Sequence, residues 1–203
     1  MNENKGIKYI IGIDEVGRGP IAGPVAVCAL LCQPEFFDFL PTNKGEKNYI
    51  RDSKKMSRLQ REKWFDFANK NKKDGICDFA VSYVSSQMID KFGISKSIKK
   101  ALEKSLEKLN VHEEAVYIYL DGGLKAPKKY KYQETIIGGD NLKPVISLAS
   151  IIAKVSRDKI MRRYAKKYPK YGFEKHVGYG TKAHYEAIKN YGQTAIHRKS
   201  FIH

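Results

Sequence analysis

Apolar runs that end on acids punctuate this chain. Lys8 to Asp14, KYIIGID, reads as a short strand closing on a carboxylate. Pro24 to Cys32, PVAVCALLC, is nearly continuous in Val, Ala and Leu, a second strand. Asp78 to Val84 alternates and predicts a third. Ala115 to Asp121, AVYIYLD, is a fourth that again terminates in an acid. Thr135 to Ile137 is a brief fifth, followed by Gly138, Gly139 and Asp140. A helical period appears from Ser95 to Leu109, where Ile98, Leu102, Leu106 and Leu109 share one face. Ser57 reads as a helix cap, with Leu59, Trp64 and Phe67 as the apolar face behind it. Pro144 to about Tyr168 predicts a long helix, apolar in its first half and basic in its second. Thr181 caps a last helix running to Tyr191. Strands first, then alternating helices and strands, imply an α/β domain with a mixed sheet.

The chain has 203 residues, enough for one large domain or one domain with an appendage. Hydrophobic residues at 42% and aromatics at 11% supply a core, which excludes general disorder. No apolar run approaches the roughly 18–20 residues of a membrane span, and the polar start, Met1 to Lys8, predicts no signal peptide. Three cysteines make no disulfide framework. Cys28 and Cys32 read as buried hydrophobes, because no second Cys/His pair stands at zinc spacing. The expected setting is a reducing cytoplasm. Lys and Arg outnumber Asp and Glu by 38 to 22, a net charge of +16. Such a surface attracts polyanions and points toward nucleic acid, although a lysine-rich solvated surface remains the bland alternative.

In this basic chain the strand-end acids stand out. Asp14 and Glu15 close the first strand, Asp121 the fourth, and Asp140 follows the fifth. Sites in open α/β sheets form outside the carboxyl ends of strands. If the first, fourth and fifth strands are parallel neighbours, four carboxylates converge, and hard divalent ions such as Mg²⁺ or Mn²⁺ relieve their repulsion. Taken singly, Asp121 before Gly122 reads as a turn former, and Asp140 equally as a turn or a cap for the Pro144 helix.

Gly17-Arg18-Gly19 follows the acidic pair directly. The glycines admit a close backbone approach, and Arg18 between them suits a phosphate or ribose. The spacing fits no dinucleotide fingerprint, and no P-loop occurs. Ser53 and Lys54, in a polar loop before a helix, suit a phosphate or simple helix entry. Tyr179, flanked by Gly178 and Gly180, is placed to stack on a sugar or base, or else packs on the core. His176, His184 and His197 match no zinc spacing and read as hydrogen-bonded structural histidines.

Together these residues resemble the ribonuclease HII (type 2 ribonuclease H) family. The matching stretches are Gly12-IDEVGRGPIAGPVAV, Asp52-SKKMS, Tyr119-LDGG, Gly138-GD, Ser147-LASIIAKVSRD-Lys159, Gly178-YGTKAH-Tyr185 and His197-RKSF, in family order from about residue 8 to 201. The resemblance implies a ribonuclease H-like fold, a mixed five-stranded sheet flanked by helices with a small helical C-terminal part. Residues 1–170 form the catalytic domain on this reading, and 171–203 an extension packed on it as one compact unit.

The resemblance also implies hydrolysis of the RNA strand of RNA–DNA hybrids and incision at single ribonucleotides in duplex DNA. Asp14, Glu15, Asp121 and Asp140 correspond to the family's metal-binding catalytic carboxylates, serving two Mn²⁺ or Mg²⁺ ions. Gly17, Arg18 and Gly19 correspond to the loop that senses the ribose 2′-hydroxyl, and Tyr179 to the tyrosine that stacks on the junction sugar. Lys54 looks like a phosphate contact, with Ser53 beside it. Ser150 and Lys154 are expected to face the duplex, and basic residues from Lys154 to Lys170 to track phosphates. A monomer is expected, with no membrane association. Gln193 to Phe201 lacks the aromatics of a sliding-clamp peptide, since Lys199 and Ser200 occupy their places. Another metal-dependent nuclease of the same fold and a non-catalytic nucleic-acid-binding module are the competing readings.

Overall fold

The structure, a computed structural model, describes residues 6–38, 50 and 56–202. Strands β1 (Tyr9–Val16), β2 (Val25–Cys32), β3 (Cys77–Val84), β4 (Val116–Asp121) and β5 (Gln133–Ile136) form one sheet in the order β3-β2-β1-β4-β5. The first three run as an antiparallel meander, whereas β4 and β5 lie parallel to β1. Ile13 stands beside Leu120, and Asp121 beside Ile136. The acids that close β1 and β4 therefore leave the sheet side by side at one edge.

Helices α1 (Arg58–Lys73), α2 (Ser86–Phe92), α3 (Ile94–Leu109), α4 (Gly139–Leu142), α5 (Pro144–Lys167), α6 (Phe173–His176) and α7 (Lys182–Tyr191) are the α-helices among the described residues. On one face, Ile98, Leu102 and Leu106 of α3 pack with Ile11, Ile13, Val25, Val27, Ile118 and Leu120. On the other, Val145, Leu148 and Ile152 of α5 pack with Cys28, Leu30 and Ala68. Alternate residues of β2 thus enter different cores, which explains its unbroken apolar run. All three cysteines are buried and free.

The expected strands and long helices are present with small shifts at their ends. Ser57 and Gln60 form a reciprocal capping box at α1, and the Thr181 hydroxyl caps α7. Leu59 departs from expectation: it is 72% exposed, while Trp64, Phe65 and Phe67 pack inward. At about 100° per residue, Leu59 falls roughly 140° around the helix from Trp64. The short helices α2, α4 and α6 carry too few periods to stand out in the sequence.

Gly12 sets the distance between β1 and α5. A Cβ there would lie 2.2 Å from the Val145 carbonyl oxygen, so only glycine lets the helix start this close to the strand. Beyond residue 170, Tyr171, Phe173, Ala187 and Ile196 pack around Ala22 and Met161. No helix among the described residues is long and apolar enough to cross a membrane.

Candidate active site

The end of β1 turns Asp14 into the interface with α5, where it is 5% exposed. Its carboxylate accepts from the Glu15 backbone N–H at 2.7 Å and from the Ser150 hydroxyl. Burial, helped by the nearby charges of Glu15 and Asp121, pushes its pKa up to about 8 against these hydrogen bonds. Glu15 is also raised, by burial first and by Asp121, with Arg18 opposing from 3.6 Å. Asp121 accepts from the Gly139 N–H at 2.7 Å, which ties the β4 terminus to α4. The next residue, Asp140, is 2% exposed and takes a 3.0 Å hydrogen bond from its neighbour Asn141. Ser147 of α5 donates to the Asp140 carbonyl. Asp14, Glu15 and Asp121 thus share one electrostatic environment, and α4 holds Asp140 next to it.

The segment that follows β1 is anchored from beneath by two arginines with no exposed surface. Arg198 donates to the carbonyls of Gly17, Arg18 and Gly23 at 2.7, 3.0 and 3.0 Å. Arg157 donates to those of Pro24, Val177 and Ala22 at 2.8, 2.9 and 3.2 Å. Burial lowers both pKa values, and Arg157 helps bring Arg198 down to about 9. Gly17, at φ +92°, lies over Arg157, and a Cβ there would meet Nε at 2.3 Å.

Arg157, through its bond to Val177, brings the second glycine-flanked feature alongside the first. The Gly178 carbonyl accepts from Ile21 and Ala22 N–H groups at 2.9 and 3.2 Å. A Cβ on Gly19 would stand only 3.9 Å from the Tyr179 ring. Tyr179 is 46% exposed and Arg18 and Gly19 are exposed beside it, so the aromatic face is open rather than packed in the core. The histidines are hydrogen-bonded structural groups, as their spacing suggests: His176 to the Tyr171 carbonyl, His184 to that of Tyr179, and His197 to His184.

Other expected contacts are placed differently. Ser150 is 3% exposed and bonds Asp14, which puts it under the carboxylates and not out against a duplex. Lys154 is ion-paired with Asp158 at 2.9 Å. Three basic residues in this half of α5 are engaged within the fold, while Arg163, Lys166 and Lys167 are exposed. Arg157 is buried, Arg162 pairs with Glu62 at 3.5 Å, and Lys159 lies 3.9 Å over the Phe65 ring. The packing of α1 against α5 claims Arg162 and Lys159, and the segment after β1 claims Arg157. Ser53 and Lys54 lie outside the described residues. Charge alone suggests an exposed position for Arg198; its burial becomes visible only once the C-terminus folds back.

The family model for ribonuclease HII matches residues 11–203. The chain belongs to the ribonuclease HII family. The ribonuclease HII of Endomicrobium trichonymphae is 42% identical over 198 residues, covering 98% of this chain and 87% of that protein. In the PCNA:RNase HII complex from Archaeoglobus fulgidus, the fold is shared at a TM-score of 0.72 and 23% identity, covering 96% of each chain. Bst-RNase HIII in complex with Mn²⁺ superposes at 0.64 and 17% identity, over 97% of this chain and 68% of that one. Ribonuclease HII is a metal-dependent endoribonuclease, and the site offers suitable donors. All four acids are hard oxygen ligands, and the crowding of Asp14, Glu15 and Asp121 is the repulsion a divalent cation relieves. Among the described residues no three His, Cys, Asp or Glu side chains are already gathered as an assembled ligand group.

Proposed function

We propose that this ribonuclease HII cleaves the RNA strand of RNA–DNA hybrids and incises duplex DNA on the 5′ side of single embedded ribonucleotides. The products are a 5′-phosphate and a 3′-hydroxyl. The observation that carries the reading is the closeness of two recognition features beside one carboxylate cluster: a Cβ on Gly19 would lie 3.9 Å from the Tyr179 ring, with Asp14 and Glu15 just upstream.

In this reading Asp14, Glu15, Asp121 and Asp140 hold two Mg²⁺ or Mn²⁺ ions, the latter being the ion bound by the Bst-RNase HIII neighbour. Ions held by these carboxylates would supply activation of a water nucleophile and charge stabilisation at the leaving 3′-oxygen. Ser150 orients Asp14, and the Gly139 N–H orients Asp121. The Gly17-Arg18-Gly19 backbone reads the 2′-hydroxyl, while Tyr179 stacks on the sugar at the junction with DNA. Arg18, held near Glu15 in the free protein, is available to a phosphate when substrate arrives. Ser53 and Lys54 add phosphate contacts, and Lys154 a position next to the duplex path. The protein acts as a cytoplasmic monomer, in one compact unit with residues 171–203 packed on 1–170.

The test is a DNA duplex carrying one internal ribonucleotide, incubated with Mg²⁺, Mn²⁺ or EDTA beside an all-DNA duplex and an RNA–DNA hybrid. A metal-dependent nick 5′ to the ribonucleotide, with the all-DNA duplex intact, is the expected result. Cleavage of the long hybrid alone overturns the single-ribonucleotide reading. Asp121→Asn abolishes cleavage and retains hybrid binding; full turnover by that variant overturns the assignment of the carboxylates.

A further inference from the structure

Beneath the exposed ring of Tyr179 lies a buried chain of hydrogen bonds in which every proton position follows from its partners. The Thr194 backbone N–H donates to His197 Nδ1 at 2.8 Å. A backbone nitrogen can only donate, so Nδ1 is unprotonated and the His197 proton is on Nε2. That Nε2 stands 3.0 Å from His184 Nε2, which must then accept. The His184 proton is therefore on Nδ1, 2.8 Å from the Tyr179 carbonyl oxygen, to which it donates. Only neutral rings satisfy this order, and burial lowers the pKa of both histidines.

His176 is held in the same way. Its Nδ1 accepts from the Gly178 N–H at 3.2 Å and its Nε2 donates to the Tyr171 carbonyl at 2.8 Å. Its ring stacks on His184 with centroids 4.3 Å apart. Apart from these rings, Tyr171 and Phe173 face the pair. His184 and His197 are 0% and 3% exposed. Apolar side chains of similar volume would fill this space without burying polar nitrogens. The chain instead ends at the backbone of an exposed aromatic residue whose other peptide neighbour, Gly178, is bonded to the loop after β1.

We propose that His184 and His197 are positioning residues for Tyr179: together with the Thr181 N–H, which bonds the same carbonyl at 2.9 Å, their single-tautomer chain fixes the Tyr179 peptide, and through it the ring's distance from Gly19 and the angle at which it meets the sugar. The inference rests on Tyr179 being the stacking residue. Neither histidine touches substrate.

A double-mutant cycle on kcat/KM for the single-ribonucleotide duplex tests it. His184→Leu lowers kcat/KM by about tenfold or more with Tyr179 present, and by less than about twofold in a Tyr179→Ala background. His184→Asn, which keeps an N–H near the Nδ1 position, recovers most of the loss. Should His184→Leu fail to fold, His197→Asn enters the same cycle: it keeps the acceptor for Thr194 but removes the donor to His184. Equal losses in both backgrounds overturn the proposal and leave the histidines as packing. A Tyr179→Ala variant with unchanged kcat/KM instead removes the stacking role of Tyr179, and the proposal falls with it.

Discussion

The Arg198 guanidinium donates to the Gly17 carbonyl at 2.7 Å, joining residues 181 positions apart. The last turn of the chain thereby supports the loop that follows β1. Arg198→Met leaves three carbonyls without their donor, a loss of about 2–4 kcal/mol of stability. Urea unfolding measures it. At temperatures where the variant is folded, cleavage at an embedded ribonucleotide falls further than cleavage of a long hybrid. Equal losses on the two substrates argue that the loop's shape does not govern ribose recognition.

The buried Asp14 carboxyl costs the fold stability as pH rises. Its pKa of about 8 in the metal-free fold, against an ordinary 3.8, means that stability falls as pH rises through this interval, because the unfolded carboxyl ionises freely and the folded one does not. Asp14→Asn removes that penalty while preserving an acceptor for Ser150. In EDTA at pH 8 the variant melts at a higher temperature than the parent, and it has no cleavage activity with any divalent ion. A lower melting temperature contradicts the account of a crowded, buried acid.

The histidine cluster imposes the opposite dependence. Burial, followed by the nearby His176 and His197, depresses the pKa of His184 from 6.5 to about 4, with the Tyr179 carbonyl opposing. Its contribution is complete above pH 6.5 and is lost as pH falls toward 4. Melting curves in EDTA, compared between wild type and His184→Asn, isolate this effect from that of Asp14. The gap between the two proteins narrows across the interval; a constant gap contradicts it.

Gly12→Ala tests how β1 and α5 place the site. The added methyl overlaps the Val145 carbonyl at 2.2 Å, so strand and helix separate at a loss of about 1–3 kcal/mol. Because Asp14 and Ser150 lie on those two elements, their hydrogen bond lengthens and kcat drops while hybrid binding persists. Unchanged kcat with reduced stability shows that the Ser150 bond is dispensable.

Much of this protein is legible in its residues alone. Period-two and period-3.6 patterns disclose the strands and the main helices, because each element must bury one stripe or face, and β2, buried on both sides, reads as one apolar run. The acids at the ends of strands, Gly17-Arg18-Gly19 and Tyr179 between glycines are local features, and their family order makes the resemblance specific. What the residues leave open is everything that depends on pairing across long separations. Only the order β3-β2-β1-β4-β5 brings Asp14 and Asp121 to one edge. Only the fold-back of the C-terminus turns Arg198 from an apparent surface charge into the support of Gly17. Likewise, Arg157 and Ser150 look like duplex contacts along a basic helix until packing buries them. Hydrophobic periodicity reports which face of an element turns inward, but a polar side chain's partner is fixed only when a distant segment arrives to meet it.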